Sequence, residues 1–332
     1  MRLGKITDNA LKRSILKPLK TEFKKDISAA VGTDCAFSNE KKTFCAIYPV
    51  TENVSDCGYY AVIKAVNSLV CQGIAPDQVN LSILLPVDTE EPVLKKIVKD
   101  AIEAARECKV TYTGGHTEVT SAVARPLVTA TCVGTNMQNA GKRTTKEQSI
   151  EAKPDMAIVI SKWIALEGTA MIASEKKEEL ITKYPAPFID EASGFRDYLT
   201  VRQEMEAVTD LSDTSIAAVH DLSNGGVFAA LSEIAERLHC GFKVDLKKIP
   251  IRQETIEVCE FFEINPYQLL SGGALLFVTS DGEQLVNTLE EKGIPAAVVG
   301  YLTDNNDKII TNDDENRFLE LPQTDEIHKV LG

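Results

Sequence analysis

Several common features are missing from this 332-residue sequence. It has no apolar run of the ~18–20 residues that a membrane-spanning helix needs, and no apolar segment follows the charges at its start, so neither a membrane span nor a secretory signal is predicted. Positive charge is scarce, with 36 Lys and Arg against 49 Asp and Glu and a formal net charge of −13. Because phosphate repels such a chain, neither nucleic acid nor an anionic membrane is an expected partner. We therefore expect a cytoplasmic protein.

Familiar metal-binding and catalytic motifs are missing as well. Eight cysteines occur, but no two form a C-x-x-C pair, and the four histidines do not cluster with them, which argues against a zinc site. Free, mostly buried thiols are the simpler interpretation. The sequence also has no P-loop, no G-x-G-x-x-G dinucleotide motif and no G-x-S-x-G nucleophile elbow. The most common nucleotide and hydrolase sites are thereby excluded.

The composition is that of an ordinary globular protein, with 44% hydrophobic and 26% charged residues, and the length is typical of two domains. Residues 1–30 are expected to be partly helical, and Pro18 is expected to end or kink a helix there. The rest of the first half alternates β-rich runs with helical patterns, which predicts strands at 43–50, 80–86 and 125–134 and helices at 59–71 and 92–108. The polar segment 138–154 separates a first domain, residues 1–150, from a second, residues 151–332.

The second half continues the alternation, which predicts a two-domain α/β (α+β) protein. Its predicted strands lie at 156–161, 274–280 and 296–302, and its predicted helices at 167–179, 198–208, 227–239 and 281–293. The helix over 227–239 has apolar residues at spacings of 4, 3 and 4, and Gly241 ends it. The last 30 residues are acidic and polar, so a frayed tail is expected there.

The segment His220-Asp-Leu-Ser-Asn-Gly-Gly226 holds the strongest functional signal. An apolar stretch runs into a polar, glycine-rich turn, and a helix begins at once. Free N–H groups at a helix N-terminus suit an anion, so Ser223, Asn224, Gly225 and Gly226 form a candidate phosphate site. A plain N-cap at Ser223 or Asn224 is the competing interpretation.

Two further glycine turns carry ionisable side chains. Thr113-Gly-Gly-His-Thr-Glu-Val119 places His116 and Glu118 after the flexible pair Gly114 and Gly115. A tight turn with a solvated glutamate is the alternative there. Asp34 lies in a turn within Val31-Gly-Thr-Asp-Cys-Ala36, where ordinary turn chemistry would also account for it.

Taken in chain order, short motifs along almost the whole sequence form a recognisable set. The first half contributes Gly32-Thr-Asp-Cys-Ala36, Gly58-Tyr-Tyr-Ala-Val62, Leu84-Leu-Pro86 and Gly114-Gly-His-Thr-Glu-Val119. The second half contributes Lys162-Trp-Ile-Ala-Leu-Glu-Gly-Thr-Ala170, His220-Asp-Leu-Ser-Asn-Gly-Gly226, Ile249-Pro-Ile251, Asn265-Pro266 and Ser271-Gly-Gly-Ala-Leu275. The set resembles the AIR synthase-related (PurM-, HypE-, ThiL- and SelD-like) superfamily, and most closely its HypE-like branch.

The resemblance implies a PurM-like fold, with an N-terminal domain that forms a dimeric, β-barrel-like interface and a C-terminal α/β domain. It also implies an ATP site with Mg²⁺ held by aspartates, beside the cleft between the domains. Asp34 would then be a metal ligand. The other implied cofactor-binding residues are Gly114, Gly115, His116, Glu118, Ser223, Asn224, Gly225 and Gly226. Family chemistry uses ATP to phosphorylate an oxygen or a selenide.

Departures from the family pattern weaken the expectation of ATP and Mg²⁺. Tyr48 and Ser68 stand where relatives usually carry aspartates, and Mg²⁺ relies on carboxylates. Glu52 or Asp56, both nearby in sequence, could replace the lost acids or be solvated loop residues. HypE itself ends in a cysteine that receives a carbamoyl group, whereas the last cysteine here is Cys259.

Two functions follow from the resemblance and its departures. The first is ATP-dependent phosphoryl transfer or dehydration on an unknown small substrate, with no catalytic residue identified. The second is a family member whose nucleotide site has degenerated and which acts as a binding or scaffold subunit, for example in hydrogenase-type maturation. Expected partners are a second copy of the chain, a small molecule or nucleotide, and a maturation protein.

Overall fold

The computed structural model covers the chain from Lys5 to Gly332 with several gaps. The residues it describes are 5–23, 30–38, 43–136, 150–208, 215–313, 315–321 and 323–332. Most of the polar segment 138–154, where the sequence places the domain boundary, lies outside these residues. On either side of it the chain forms two separate sheets, one in each half.

The first half builds a five-stranded sheet with the strand order β1-β2-β5-β3-β4. Its strands are β1 (Ala36–Ser38), β2 (Thr43–Val50), β3 (Ile74–Leu85), β4 (Thr111–Val119) and β5 (Leu127–Asn136). Neighbouring strands are antiparallel except β3 and β4, which run parallel. The sheet is open, with β1 and β4 at its edges.

Two helices cover this sheet. All 14 residues of α3 (Cys57–Val70) are buried, because one side packs on the sheet and another faces the second half of the chain. The helix α4 (Glu91–Glu107) is amphipathic and packs against α3. They approach closely at Gly58, where an added Cβ would lie 2.2 Å from the backbone oxygen of Ile97. Asn67 joins the two halves, since its amide donates to the backbone oxygen of Leu199 at 2.6 Å.

The second half builds a seven-stranded sheet with the order β12-β11-β8-β10-β6-β9-β7. Its strands are β6 (Ala157–Ser161), β7 (Ile216–Asp221), β8 (Gly241–Asp245), β9 (Leu275–Thr279), β10 (Ala296–Thr303), β11 (Lys308–Asn312) and β12 (Glu315–Phe318). All pairs are antiparallel except β11 with β8. The central strands β6 and β9 are completely buried, which explains their continuous apolar sequences.

Helices pack around the second sheet, and two expectations fail there. The helices are α5 (Leu166–Glu175), α6 (Lys177–Leu180), α7 (Ala186–Ser193), α8 (Arg202–Val208), α9 (Gly226–Leu238), α10 (Gln253–Phe261), α11 (Gly282–Glu291) and α12 (His328–Leu331). The helix predicted at 167–179 breaks at Lys176. The frayed tail is also wrong, because the last 30 residues include strands and buried anchors such as Asp325 and Ile327.

The N-terminal helices pass through Pro18 without stopping. They comprise α1 (Asp8–Leu11), a π-helical turn (Lys12–Leu16) and α2 (Lys17–Phe23). Pro18 is the second residue of α2 and follows directly on the π-helical turn, a local irregularity of the kind that accommodates a residue without a backbone N–H. The helix therefore does not end at this proline, and that part of the prediction is wrong.

The cysteines are in the state that the sequence predicts. All eight cysteines are free thiols and five of them are buried, which confirms that interpretation. Within the described ranges, no helix has the length and apolar character to cross a bilayer.

Candidate functional site

A cavity of about 570 Å³ lies where the two halves meet. It is bordered by the N-terminal helices, the loop before β1, strand β2 and the turn between β7 and α9. Its polar lining residues include Asp34, Tyr48, His220, Asp221, Ser223, Asn224 and Glu233. A neighbouring cavity of about 430 Å³ shares several of its walls, including Asn224 and Glu233. Three predicted site residues, from distant parts of the sequence, therefore face one space: Asp34, Ser223 and Asn224.

A buried histidine organises the acidic side of this cavity. His220 Nδ1 lies 3.0 Å from Asp34 Oδ1, and its Nε2 lies 3.0 Å from Glu233 Oε2. Burial alone would lower the pKa of His220, but the two carboxylates outweigh it and raise the pKa to about 10. Gln72 also donates to Asp34, at 2.7 Å. Asp34 is thus held in place by an imidazolium and an amide.

This arrangement predicts a pH-dependent stability. The pKa of His220 rises from 6.5 to about 10, so its stabilisation is complete below pH 6.5 and is lost as the pH rises through about 10. Between about pH 7 and pH 9 the free energy of unfolding should fall by about 1.4 kcal/mol per pH unit because of this group. Urea unfolding at both pH values should show a flatter dependence in His220→Gln. The exposed His239, changed to Asn, is the control, and equal slopes in wild type and His220→Gln would refute the assignment.

Asp221 is the second acid of the site. It ends β7, is 7% exposed and lines the cavity. Its Oδ1 has no hydrogen-bond partner among the described residues. Burial, followed by repulsion from Asp34, raises its pKa well above the ordinary value. A cation bound by Asp34 and Asp221 would offset both the burial of the Asp221 charge and its repulsion from Asp34.

His220 and Asp221 lie within the motif before the glycine turn, but neither was predicted as a site residue. The available signal was a polar His-Asp pair at the end of a buried strand, directly before a glycine turn. A strand-end position of this kind places side chains at the edge of a sheet, where ligands bind in many α/β proteins.

The donor set fits Mg²⁺ only together with a nucleotide. The described part of the chain has no group of three or more His, Cys, Asp and Glu side chains that could hold a metal ion alone. Asp34 and Asp221 supply two carboxylates, and proteins often hold Mg²⁺ through one or two carboxylates plus phosphates and water. Since Asp221 keeps a free oxygen, the pair matches that mode of binding.

Tyr48 reaches from β2 across to the turn before α9. Its hydroxyl lies 2.9 Å from Ser223 Oγ and donates to Asn224 Oδ1. Behind the ring, Lys64 Nζ lies 4.4 Å from the ring centroid and forms a buried 2.6 Å ion pair with Glu167. Burial raises the pKa of Tyr48, so the phenol is neutral. A neutral hydrogen-bonding group therefore stands at this departure from the family pattern.

The glycine turn itself is shaped by packing. Gly225, with φ +81°, is the N-cap residue of α9, which has no side-chain cap, so the N-cap interpretation of Ser223 and Asn224 is wrong. The N–H of Gly225 donates to the carboxylate of Asp325. A Cβ on Gly226 would lie 2.6 Å from the backbone oxygen of Tyr267, so this glycine serves a close backbone contact. Phosphate binding by the turn stays a prediction, carried by Ser223 and Asn224.

The other predicted cofactor residues lie elsewhere in this chain. Gly114, Gly115, His116 and Glu118 are on the exposed edge strand β4, and they are not among the lining residues of the cavity. The segment is a strand, so the tight turn given as the alternative is wrong, although Glu118 is exposed as that alternative expects. A Cβ on Gly115 would lie 1.8 Å from the backbone oxygen of Leu81. His116 Nε2 lies 3.2 Å from Glu118 Oε2, both exposed. Their role in nucleotide binding stays a prediction.

Neither candidate replacement acid reaches the cavity wall. Glu52 is buried and accepts from the backbone N–H of Thr51 at 2.9 Å. Asp56 pairs with Lys96 and with Arg196, the latter at 3.0 Å. Both are therefore committed to structural contacts rather than to solvent.

Family models match both halves of the chain. The AIR synthase related protein N-terminal domain matches residues 17–136, and the corresponding C-terminal domain matches residues 153–312. A putative hydrogenase expression/formation protein of Methanocaldococcus jannaschii is 26% identical over 289 residues, covering 86% of this chain and 82% of that protein. The carbamoyl dehydratase HypE of Rhodobacter capsulatus is 24% identical over 255 residues, covering 77% and 70% respectively.

Solved structures show the same fold. A crystal structure of a HypE–HypF complex matches with a TM-score of 0.74 at 23% identity, covering 93% of this chain and 100% of that one. HypE in complex with ATP matches with a TM-score of 0.71 at 18% identity, covering 98% and 97%. The two sheets, the paired helices and the turn before α9 thus belong to a known architecture. The chain is a HypE-like member of the AIR synthase-related family.

Proposed function

We propose that the protein binds ATP with Mg²⁺ in the cavity between its halves and uses it for phosphoryl transfer or dehydration in hydrogenase-type maturation. The observation that carries the proposal is the placing of Asp34, Asp221, Ser223 and Asn224 around one space, with an unpartnered carboxylate oxygen on Asp221. Relatives named carbamoyl dehydratase and a HypE structure that contains ATP support the reaction class.

The chain's own residues would divide the work between charge and positioning. Mg²⁺, when bound with ATP, would neutralise charge that develops on the phosphates. Asp34 and Asp221 would hold the cation, and the His220 imidazolium would fix Asp34. Ser223 and Asn224 would contact a phosphoryl oxygen or the anionic end of the substrate. Such contacts position the reacting groups, and positioning together with charge stabilisation supplies most of the catalysis in phosphoryl transfer.

The atom that accepts the transferred group would belong to a substrate or a partner rather than to a residue that lines the cavity. The described lining residues include no cysteine, so a thiol acceptor would have to be carried by the substrate or by a partner. A small carbonyl, carboxylate or amide oxygen of a bound substrate satisfies the same chemistry.

A binding or scaffold role is the second candidate. It is favoured by the engagement of Asp34 with His220 and Gln72 and by the contact of Tyr48 with the turn, because these groups are already hydrogen-bonded within the chain. In this role the protein would present a surface to a maturation partner without turning over ATP.

Assembly and organisation extend the proposal. We propose a homodimer built on the first sheet, a maturation protein as partner, a domain division at residues 150 and 151, and a cytoplasmic location. The HypE–HypF complex supports the partner, because it shows a relative bound to another maturation protein.

Calorimetric titration with a non-hydrolysable ATP analogue, with and without Mg²⁺, tests the function directly. We expect micromolar binding that depends on Mg²⁺, and release of ADP when ATP and a competent substrate are supplied. Asp304→Asn, at an exposed position away from the cavity, is the control and should bind as the wild type does. Absence of binding in both conditions would refute ATP chemistry and leave the scaffold role.

A further inference from the structure

The Tyr48 hydroxyl contacts two side chains of the turn, Ser223 and Asn224, and can donate to only one of them. An amide oxygen only accepts, so Tyr48 gives its single proton to Asn224 Oδ1. The 2.9 Å contact with Ser223 is then donated by the serine hydroxyl to the tyrosine oxygen, which lies closer to Ser223 Oγ than Asn224 Oδ1 does at 3.4 Å. Tyr48 is neutral, so it has that one proton and no more. The three side chains form a directed chain from Ser223 through Tyr48 to Asn224.

This chain leaves one group free at the cavity. With its oxygen held by Tyr48, the side chain of Asn224 keeps two N–H donors, which have no partner among the described residues. Asn224 lines both cavities. Unused amide donors at a ligand-sized space suit an anionic oxygen. The unpartnered Oδ1 of Asp221, 7% exposed on the same wall, points independently to a ligand here.

A buried ion pair fixes the ring that holds this amide. Lys64 and Glu167 have side chains only 5% and 1% exposed and lie 2.6 Å apart, with Lys64 Nζ under the Tyr48 ring. Glu167 also accepts the backbone N–H of Gly272 at 3.2 Å. Because α3 carries Lys64 and α5 carries Glu167, Tyr48 is positioned by contacts from both halves.

We propose that Tyr48 is a positioning residue that turns the amide of Asn224 so that its N–H groups bind a phosphoryl oxygen of the nucleotide. This inference rests on the proposed ATP site and names how its phosphate end is recognised. At this position the resemblance expects a cation-binding carboxylate. Hydrogen bonds replace that cation, so one Mg²⁺ per nucleotide, at Asp34 and Asp221, completes the site.

The test compares Tyr48→Phe with wild type by calorimetric titration of the ATP analogue and of adenosine, both with Mg²⁺. Phenylalanine keeps the ring over Lys64 and removes only the hydroxyl. We expect about 10-fold weaker binding of the analogue, since a charge-assisted hydrogen bond loses its orientation, and unchanged binding of adenosine. Asn224→Ala should cost about as much, and the double variant little more, because both changes remove one interaction. Tyr301→Phe, on the exposed part of β10, is the matched control.

Each other outcome overturns the inference. Unchanged or tighter binding of the analogue by Tyr48→Phe would mean that the phenol blocks the turn or plays no part. Equal weakening for the analogue and adenosine would mean a general structural role, and additive effects of the two substitutions would mean independent contacts. A requirement for two Mg²⁺ per nucleotide in the wild type would contradict the single-cation site. If the wild type binds no analogue, the proposed function fails first and this inference with it.

Discussion

Asp221→Asn is expected to weaken Mg²⁺-dependent nucleotide binding on the order of 100-fold, because Mg²⁺ would lose one of only two protein carboxylates. The same substitution should leave the protein folded and slightly more stable. Burial and the neighbouring Asp34 disfavour the charge of Asp221, and its Oδ1 has no partner among the described residues to lose. Opposite changes in stability and binding are typical of residues kept for function.

Titration of the ATP analogue with and without Mg²⁺, together with thermal unfolding, measures both effects. Asp34→Asn should weaken binding to a similar extent, but with a loss of stability, because it removes the negative charge beside His220 and leaves one acceptor oxygen where His220 and Gln72 now use two. Asp304→Asn should change neither quantity. If Asp221→Asn binds the analogue with Mg²⁺ as the wild type does, the cation lies elsewhere and the proposed site is wrong.

Local sequence patterns predicted the helices and strands for which apolar periodicity and turn residues favour the same structure. The strand expected at 43–50 is β2, and the helix expected at 227–239 is α9, displaced by one residue. In both, burial of a periodic apolar face and the local turn residues favour the same structure. The strand expected at 80–86 begins earlier, at Ile74, because its register shifts between Pro76 and Gln78 and the pairing with β5 continues.

Long-range contacts determine the structure of the segments that were predicted wrongly. The segment 111–119 is one strand because Gly115 allows close pairing with Leu81, which no local pattern reveals. The C-terminal residues are ordered because Asp325 accepts from backbone N–H groups of Gly225, Leu270 and Ile327. Motifs therefore identified Asp34 and the turn at Ser223, but the partners that give them their chemistry come from distant segments.

The largest stability effect is expected at the ion pair behind Tyr48. Lys64→Met should cost about 3–5 kcal/mol of unfolding free energy, because it leaves Glu167 buried without its counter-charge. Burial raises the pKa of Glu167 even with Lys64 present, so the variant should take up a proton at this carboxyl. Methionine fills similar space and keeps contact with the Tyr48 ring, so the loss reports the charge rather than a cavity.

Urea unfolding of three variants separates the pair from the packing around it. Lys64→Met/Glu167→Gln should recover most of the loss, because glutamine is neutral and can still accept the N–H of Gly272. Lys95→Met breaks an exposed pair with Glu91, whose side chains are 71% and 73% exposed, and should cost less than about 0.5 kcal/mol. A Lys64→Met cost as small as that of Lys95→Met would refute a role for the pair, and apolar burial alone would then hold Tyr48 and the two halves in place.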